Sequence, residues 1–336
     1  SAHAQQAWLR LGDERFAAKD FAGAIPRLER AAHGAEPSLS AIAYYKLGWS
    51  HFEEDRFLDA ADGFRRLMDL YETHPDLARS TDLRDEAEEY LVHSLARGGG
   101  AQEFATYFDR LGGRAYESRV LASMGALLKS YSLYRESIAC DRLWLDRHPD
   151  DPGALDLSRR MVDSHGRDNR SDEAREVRLA LAPRFMPGAS WHESNPDPDL
   201  RADAERFAQE SYREAAVHWH QRSRESDSPA DWERAHEHYE SFLTHWPDPR
   251  LEYQAGEAAA ELALFPDAID HFTAAAASDT ASFAQDAAWQ RVATADRWYE
   301  SAPHDSLAVK VLAFGDDFLT TQPGAAESAD LRWRQA

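Results

Sequence analysis

This chain is short of cysteine, of positive charge, of lysine and of long apolar runs, and each shortage closes off a class of protein. Its single cysteine, Cys140, cannot form an internal disulfide. One thiol suits a reducing cytosol, and equally an envelope protein that avoids thiols. Against 60 acidic residues stand 38 basic ones, a formal net charge of −22. Binding a phosphate backbone needs a dense basic surface, so nucleic acid is not an expected partner. The doublets Arg65-Arg66 and Arg159-Arg160 are diluted by flanking acids and read as solvated helix faces. Only Lys19, Lys46, Lys129 and Lys310 supply lysine, a bias that fits genomic base composition better than a mechanism. No stretch approaches the roughly 18 apolar residues of a membrane span, so no span is expected in this chain.

What the chain does have is apolar material spread along its length. Apolar residues make up 43% and aromatics 11%, with ten Trp, which excludes general disorder. At 336 residues it exceeds the usual size of one compact core, so two domains or an elongated repeat array are expected. The stretches WLRLGDERFAAKDFAGAIPRLERA and YYKLGWSHFEEDRFLDAADGFRRL match at a constant offset of 36. Trp8 falls on Tyr44, Leu11-Gly12 on Leu47-Gly48, Phe21 on Phe57, Ala24 on Ala60 and Leu28 on Phe64. A further copy lies 77 residues on, with Met124-Gly125, Tyr134 and Ser137 at the matching places. Between them, Gly98 to Gly100 occupy the turn of a missing period. A more degenerate unit spans 154–182 with Ala174 as its small residue, and others are marked by Trp232, Ala235, Tyr239 and Phe242, then by Phe265, Ala268 and Phe272.

Each repeated position has a physical reason. Ala60, Phe64, Leu67 and Tyr71 fall on one helical stripe. Ala60 is small because two helices cross there. Gly12 and Gly48 permit close approach at about 1 kcal/mol relative to Ala. Pro75, Pro149 and Pro247 end second helices, since proline brings no amide and clashes with the preceding turn. A period of this length signals stacked hairpins, none of which buries its apolar face alone.

On these residues the chain resembles tetratricopeptide repeat (TPR) proteins. The aromatic, Leu-Gly, turn aromatic, Ala, large apolar and Pro pattern is close in the first two units, looser elsewhere, and covers about three quarters of the chain. The resemblance implies an all-α fold, an α-α superhelix (solenoid) of about seven to eight TPR-like helical hairpins. The long repeats and their His/Trp-Pro-Asp endings resemble those of TPR proteins of the bacterial cell envelope. That implies a periplasmic or outer-membrane-associated location, with the cytoplasm as the alternative. The stretch APRFMPGASWHESNPDPDL carries four prolines and divides an N-terminal array, 1–182, from a C-terminal one, 200–336, with 183–199 as a Pro-rich linker. SRESDSPADW, 223–232, reads as a polar loop, and ADLRWRQA opens what looks like another helix.

No catalytic constellation stands out. His218, His220, His236, His238 and His245 cluster, but each His-x-His pair lies about 200° apart around a helix and no HExxH motif occurs. They read as exposed helix residues, not metal ligands. Cys140 has no base or oxyanion donor beside it in sequence and reads as a half-buried packing thiol. No cofactor or metal is expected, and no enzyme activity.

The aromatic residues carry the sharper expectation. Ile42, Tyr45, Trp49 and Phe52 form a second stripe on the first helix of their hairpin, with Leu9, Asp13 and Phe16 at equivalent places one unit earlier. Ala122, Ala126 and Lys129 stand there in the fourth unit. By the resemblance this stripe lines the concave groove where a partner lies. It could equally pack on the adjacent unit. TPR domains that clamp a carboxylate use a basic residue and an Asn at these places, where this chain has Leu9, Asp13, Tyr45 and Trp49. The preferred ligand is therefore a protein or peptide of apolar or basic character. The leading expectation is a non-catalytic scaffold, in a bacterial envelope complex; the alternative is a regulatory or sensory arm of a larger signalling protein or enzyme.

Overall fold

A computed structural model describes residues 2–79, 82–226, 228–278, 283–328 and 331–332. Among them the regular elements are helical, and no strand occurs. The chain divides into two compact units, Ser1–Ala174 and Arg175–Ala336. Unit 1 holds α1 (Ala2–Ala17), α2 (Phe21–Ala32), α3 (Pro37–Glu53), α4 (Phe57–Thr73), α5 (Arg84–Gly98), α6 (Gly100–Leu111), α7 (Glu117–Ser130), α8 (Tyr134–Arg147) and α9 (Ala154–Arg167). Helix α10 (Ser171–Leu181) runs across the division. Unit 2 holds α11 (Ser190–Ser194), α12 (Pro198–Ser226), α13 (Pro229–Leu243), α14 (Pro249–Glu261), α15 (Phe265–Ala276), α16 (Ala284–Ser301) and α17 (Asp305–Thr321).

Within each unit successive helices pack as antiparallel hairpins, the α-α solenoid arrangement. In unit 1, α1 also touches α3 and α5 touches α7, while α6 touches α8, so first helices form one layer and second helices another. Phe21, Phe57, Tyr134 and Phe265 are the opening residues of α2, α4, α8 and α15, where an aromatic seals the hairpin turn. Ala60, Phe64, Leu67 and Tyr71 are all buried. A Cβ on Gly12 would lie 2.7 Å from Leu28, and one on Gly48 would lie 2.9 Å from the Phe64 ring. The same relation recurs in unit 2, where a Cβ on Gly256 would meet Phe272 at 2.7 Å. In each case the glycine lets the large residue of the second helix sit against the backbone of the first.

One repeated feature escaped the sequence pattern. Lys19, Asp55, Ser132, Asn169 and Ala263 all have φ between 55° and 61° and follow a first helix. Each closes the helix with paired backbone bonds, as in Lys19 N to Phe16 O and Asp20 N to Arg15 O. This is the Schellman end, usually built on glycine. Here non-glycine residues take the left-handed conformation, and in four of the five hairpins a half-buried aromatic opens the next helix two residues on, Asn169 being the exception.

Several expectations are corrected. Most of 223–232 is helical: α12 reaches Ser226, α13 starts at Pro229, and Arg222 and Ser226 both bond the Asp231 carboxylate at the junction. In each doublet one arginine is drawn into the protein while its neighbour, Arg66 or Arg159, stays open to solvent. Arg65 is buried and donates to Asp62, Asp69 and the Tyr107 hydroxyl, while Arg160 grips the buried Asp141. Cys140 is wholly buried, not half-buried, and burial pushes its thiol up to about 12. Among the clustered histidines His220 is buried and His218, His236 and His238 are half-buried; His245 alone of the five is exposed. In the Pro-rich stretch Phe185 and Trp191 are fully buried, their rings 5.0 Å apart, with Phe207 of α12 beside them. Most of ADLRWRQA lies outside the described residues.

Candidate functional site

The site is built on the first-helix layer of unit 1. Tyr45, Trp49 and Phe52 share a face of α3 and are all half-buried. Their rings run edge to face along the helix, at 6.5 Å from Tyr45 to Trp49 and 6.0 Å from Trp49 to Phe52. Phe64 of α4 backs them from inside, 6.4 Å from Trp49. Helix α5 flanks them from the next hairpin: Tyr90 lies 4.0 Å from Trp49 and 5.7 Å from Phe52, and the Arg97 guanidinium sits 5.1 Å over Phe52. The adjacent unit thus covers one side of the stripe.

Tyr45 donates its hydroxyl to Glu86 at 2.5 Å, and burial together with that carboxylate pushes its pKa up to about 12. Tyr90 is raised too, by burial and then by Glu89, Glu86 and Glu53 around it. Glu86 and Tyr90 are the α5 residues that meet Tyr45, Trp49 and Phe52 across the two hairpins, with His93 beside Tyr90, and sequence reading missed them. The signal was masked by spacing: a 3-10 turn at Pro75–Arg79 lengthens the connection, so α5 does not follow α3 at the offset of 36 that joins the first two units.

Next to this ridge, α5 and α7 enclose a cleft of about 610 Å³. Asp85, Glu88, Glu89 and His93 line it from α5, with Arg119, Ala126 and Leu127 from α7. Arg119 donates through both Nε and Nη2 to the two Glu88 oxygens, each at 2.6 Å. Three carboxylates therefore face one guanidinium and one imidazole, and the cleft floor is apolar.

The other expected site residues are dispersed. Leu9 and Phe16 pack on the core around Ala24 and Leu28. Asp13 is exposed and pairs with Lys46, whose ammonium lies 5.2 Å over the Phe16 ring. Ile42 is half-buried on α3. Ala126 lines the cleft, Ala122 is half-buried beside it, and Lys129 is engaged with Asp163 at 2.6 Å, which holds that carboxyl below its usual range. The structure therefore joins Tyr45, Trp49 and Phe52 into one ridge and sets Ala126 in the cleft next to it. Leu9, Asp13, Phe16 and Lys129 lie elsewhere along the layer. Asp13 and Lys129 are already in ion pairs.

No family model and no curated protein matches this chain. Among solved structures it is similar to the TPR2AB domain of yeast Sti1 in a pHSP90 complex, with 13% identity, a TM-score of 0.27, and 88% of this chain and 96% of that one covered. It is also similar to the TPR domain of P58(IPK), at 14% identity and a TM-score of 0.23, covering 96% of this chain and 99% of that one. The Cut9–Hcn1 hetero-tetramer of the APC/C is similar at 13% identity and a TM-score of 0.18, covering 98% and 83%. Overlaps this low carry no statement about what this chain binds. Among the described residues no helix is long and apolar enough to cross a membrane.

Proposed function

We propose that this chain is a non-catalytic interaction scaffold that binds a protein or peptide segment of apolar and basic character along the first-helix layer of unit 1. The observation that carries this reading is the carboxylate-lined cleft between α5 and α7 lying directly beside the Tyr45–Trp49–Phe52–Tyr90 ridge. Half-buried Trp and Tyr are favoured interface anchors because they offer large, rigid contact area. An acidic wall beside them selects lysine and arginine over acidic partners, mainly through orientation and association rate. The narrower reading, an envelope assembly, is supported by the repeat endings alone, and cell fractionation tests it.

Fluorescence anisotropy with two labelled peptides of equal length and apolar content, one lysine-rich and one glutamate-rich, tests the surface. The lysine-rich peptide should bind, weaken as salt rises, and lose at least about tenfold in affinity to Glu89→Lys and to Asp85→Lys, which reverse exposed charges without touching the core. Tyr45→Ala/Trp49→Ala should abolish binding, with circular dichroism confirming that the helices persist. Equal binding of the glutamate-rich peptide, or binding unchanged in the charge-reversed variants, refutes the assignment.

A further inference from the structure

Unit 2 contains a side-chain cluster unrelated to that ridge. Helix α13 places His236 and Glu240 one turn apart on one face, and α15 brings His271 to them. The ligand atoms of the three residues lie within 4.8 Å of one another. His271 is held at both ring nitrogens: Nδ1 lies 2.6 Å from Glu252 Oε2 on α14, and Nε2 lies 2.5 Å from Glu240 Oε1. His236 stands edge-on to it, the ring centroids 6.1 Å apart. Its Nδ1 is enclosed and has no hydrogen-bond partner among the described residues.

We propose that His236, Glu240 and His271 bind a divalent zinc-class metal ion, with Glu252 orienting His271. Two imidazoles and one carboxylate form a borderline donor set that suits Zn²⁺, Co²⁺ and Ni²⁺, whereas Mg²⁺ and Ca²⁺ call for oxygen alone. With the ion bound, the Glu252 carboxylate accepts the Nδ1–H of His271 and fixes the tautomer that leaves the Nε2 lone pair for the metal. This is the carboxylate–histidine–metal relay that second-shell acids provide. Ligand bonds of about 2.1 Å place neighbouring donors about 3.3 Å apart in a tetrahedral site. The present spread brackets that separation, so small side-chain rotations suffice. Glu240 is exposed and gives the ion a path from solvent, leaving a fourth position for water.

A protonated His271 bridging two carboxylates would explain its own short contacts. It would leave His236, which brings a ring nitrogen within 4.8 Å of both other ligand atoms, without a role. A metal ion accounts for all four residues.

The test is titration of the chelator-stripped full chain with ZnCl₂ by calorimetry and with CoCl₂ by visible absorption. We expect one strong site per chain and a Co²⁺ ligand-field spectrum, both lost in His236→Gln and in His271→Gln. Glu252→Gln, which touches no metal, should weaken binding about 10- to 100-fold. Glu240→Gln alters an exposed side chain, so it should keep the wild-type circular dichroism and urea midpoint while losing affinity, which separates loss of the site from loss of the fold. Wild-type chain without a strong site, or Zn²⁺ binding of equal strength in His271→Gln, overturns the assignment.

Discussion

Arg160→Met should destabilise unit 1 more than any exposed substitution, and Asp141→Leu added to it should restore the loss. Asp141 occupies on α8 the place that Leu28, Phe64 and Phe272 take on the second helices of other hairpins, sixteen residues after Gly125 as those are after Gly12, Gly48 and Gly256. Its side chain is fully buried, Arg160 Nε lies 3.0 Å from each carboxylate oxygen, and Arg160 Nη2 also bonds Oδ1. Burial outweighs this pairing, because the Asp141 pKa is raised from its ordinary value despite the guanidinium. A carboxyl whose folded pKa exceeds its unfolded one binds more protons when folded, so stability falls as pH rises past the ordinary aspartate range. Removing Arg160 leaves a buried charge uncompensated, at a cost of about 3–5 kcal/mol. Replacing both partners by apolar groups of similar volume is neutral to stabilising, by up to about 4 kcal/mol.

Urea unfolding followed by circular dichroism at pH 7 reads this directly for wild type, the two single variants and the double variant. Lowering the pH toward the aspartate range should recover part of the Arg160→Met loss and none of the double variant's difference. A double variant as unstable as the sum of the singles, or an Arg160→Met loss below about 1 kcal/mol, refutes the reasoning.

Gly48→Ala should lower stability by about 1–3 kcal/mol in the same assay, because overpacking against the Phe64 ring exceeds the helical gain of about 1 kcal/mol. Ala263→Gly should raise it by about 0.5–1 kcal/mol, the relief of a left-handed alanine less the entropy that glycine adds to the unfolded chain. His220 lies between the Trp232 and Tyr239 rings, and its burial lowers its pKa to about 4. The unfolded chain therefore takes up that proton first, and stability is lost as pH falls from about 6.5 toward 4. His220→Phe should lose less between pH 7 and pH 5 than wild type does, and equal losses would contradict this.

The repeat itself was readable because its chemistry is local. Leu47-Gly48, Phe57, Ala60 and Pro75 each act on the hairpin that contains them, so a constant offset exposes them and their structural roles together. Trp49 and Phe52 were also legible as a helical stripe. Their neighbours were not: Tyr90 meets Trp49 across a connection lengthened by the turn at Pro75–Arg79, which breaks the register that would have shown it. Arg65, Arg160 and Asp141 look like surface charges in the sequence because charge is normally solvated. Their burial is decided by residues farther along the chain, such as Tyr107 over Arg65, even where the carboxylate partners, Asp62 and Asp69, lie one turn away. In the same way His236 and Glu240 show their one-turn spacing in the sequence, but His271 and Glu252 arrive on two other helices. The sequence by itself determined an all-helical array of hairpins and the side chains that close each one, since these depend on contacts within a single repeat. Tertiary structure alone decided which charges are buried, which aromatic faces meet, and which donors converge, since these depend on the spacing between repeats, where no periodic rule constrains the chain.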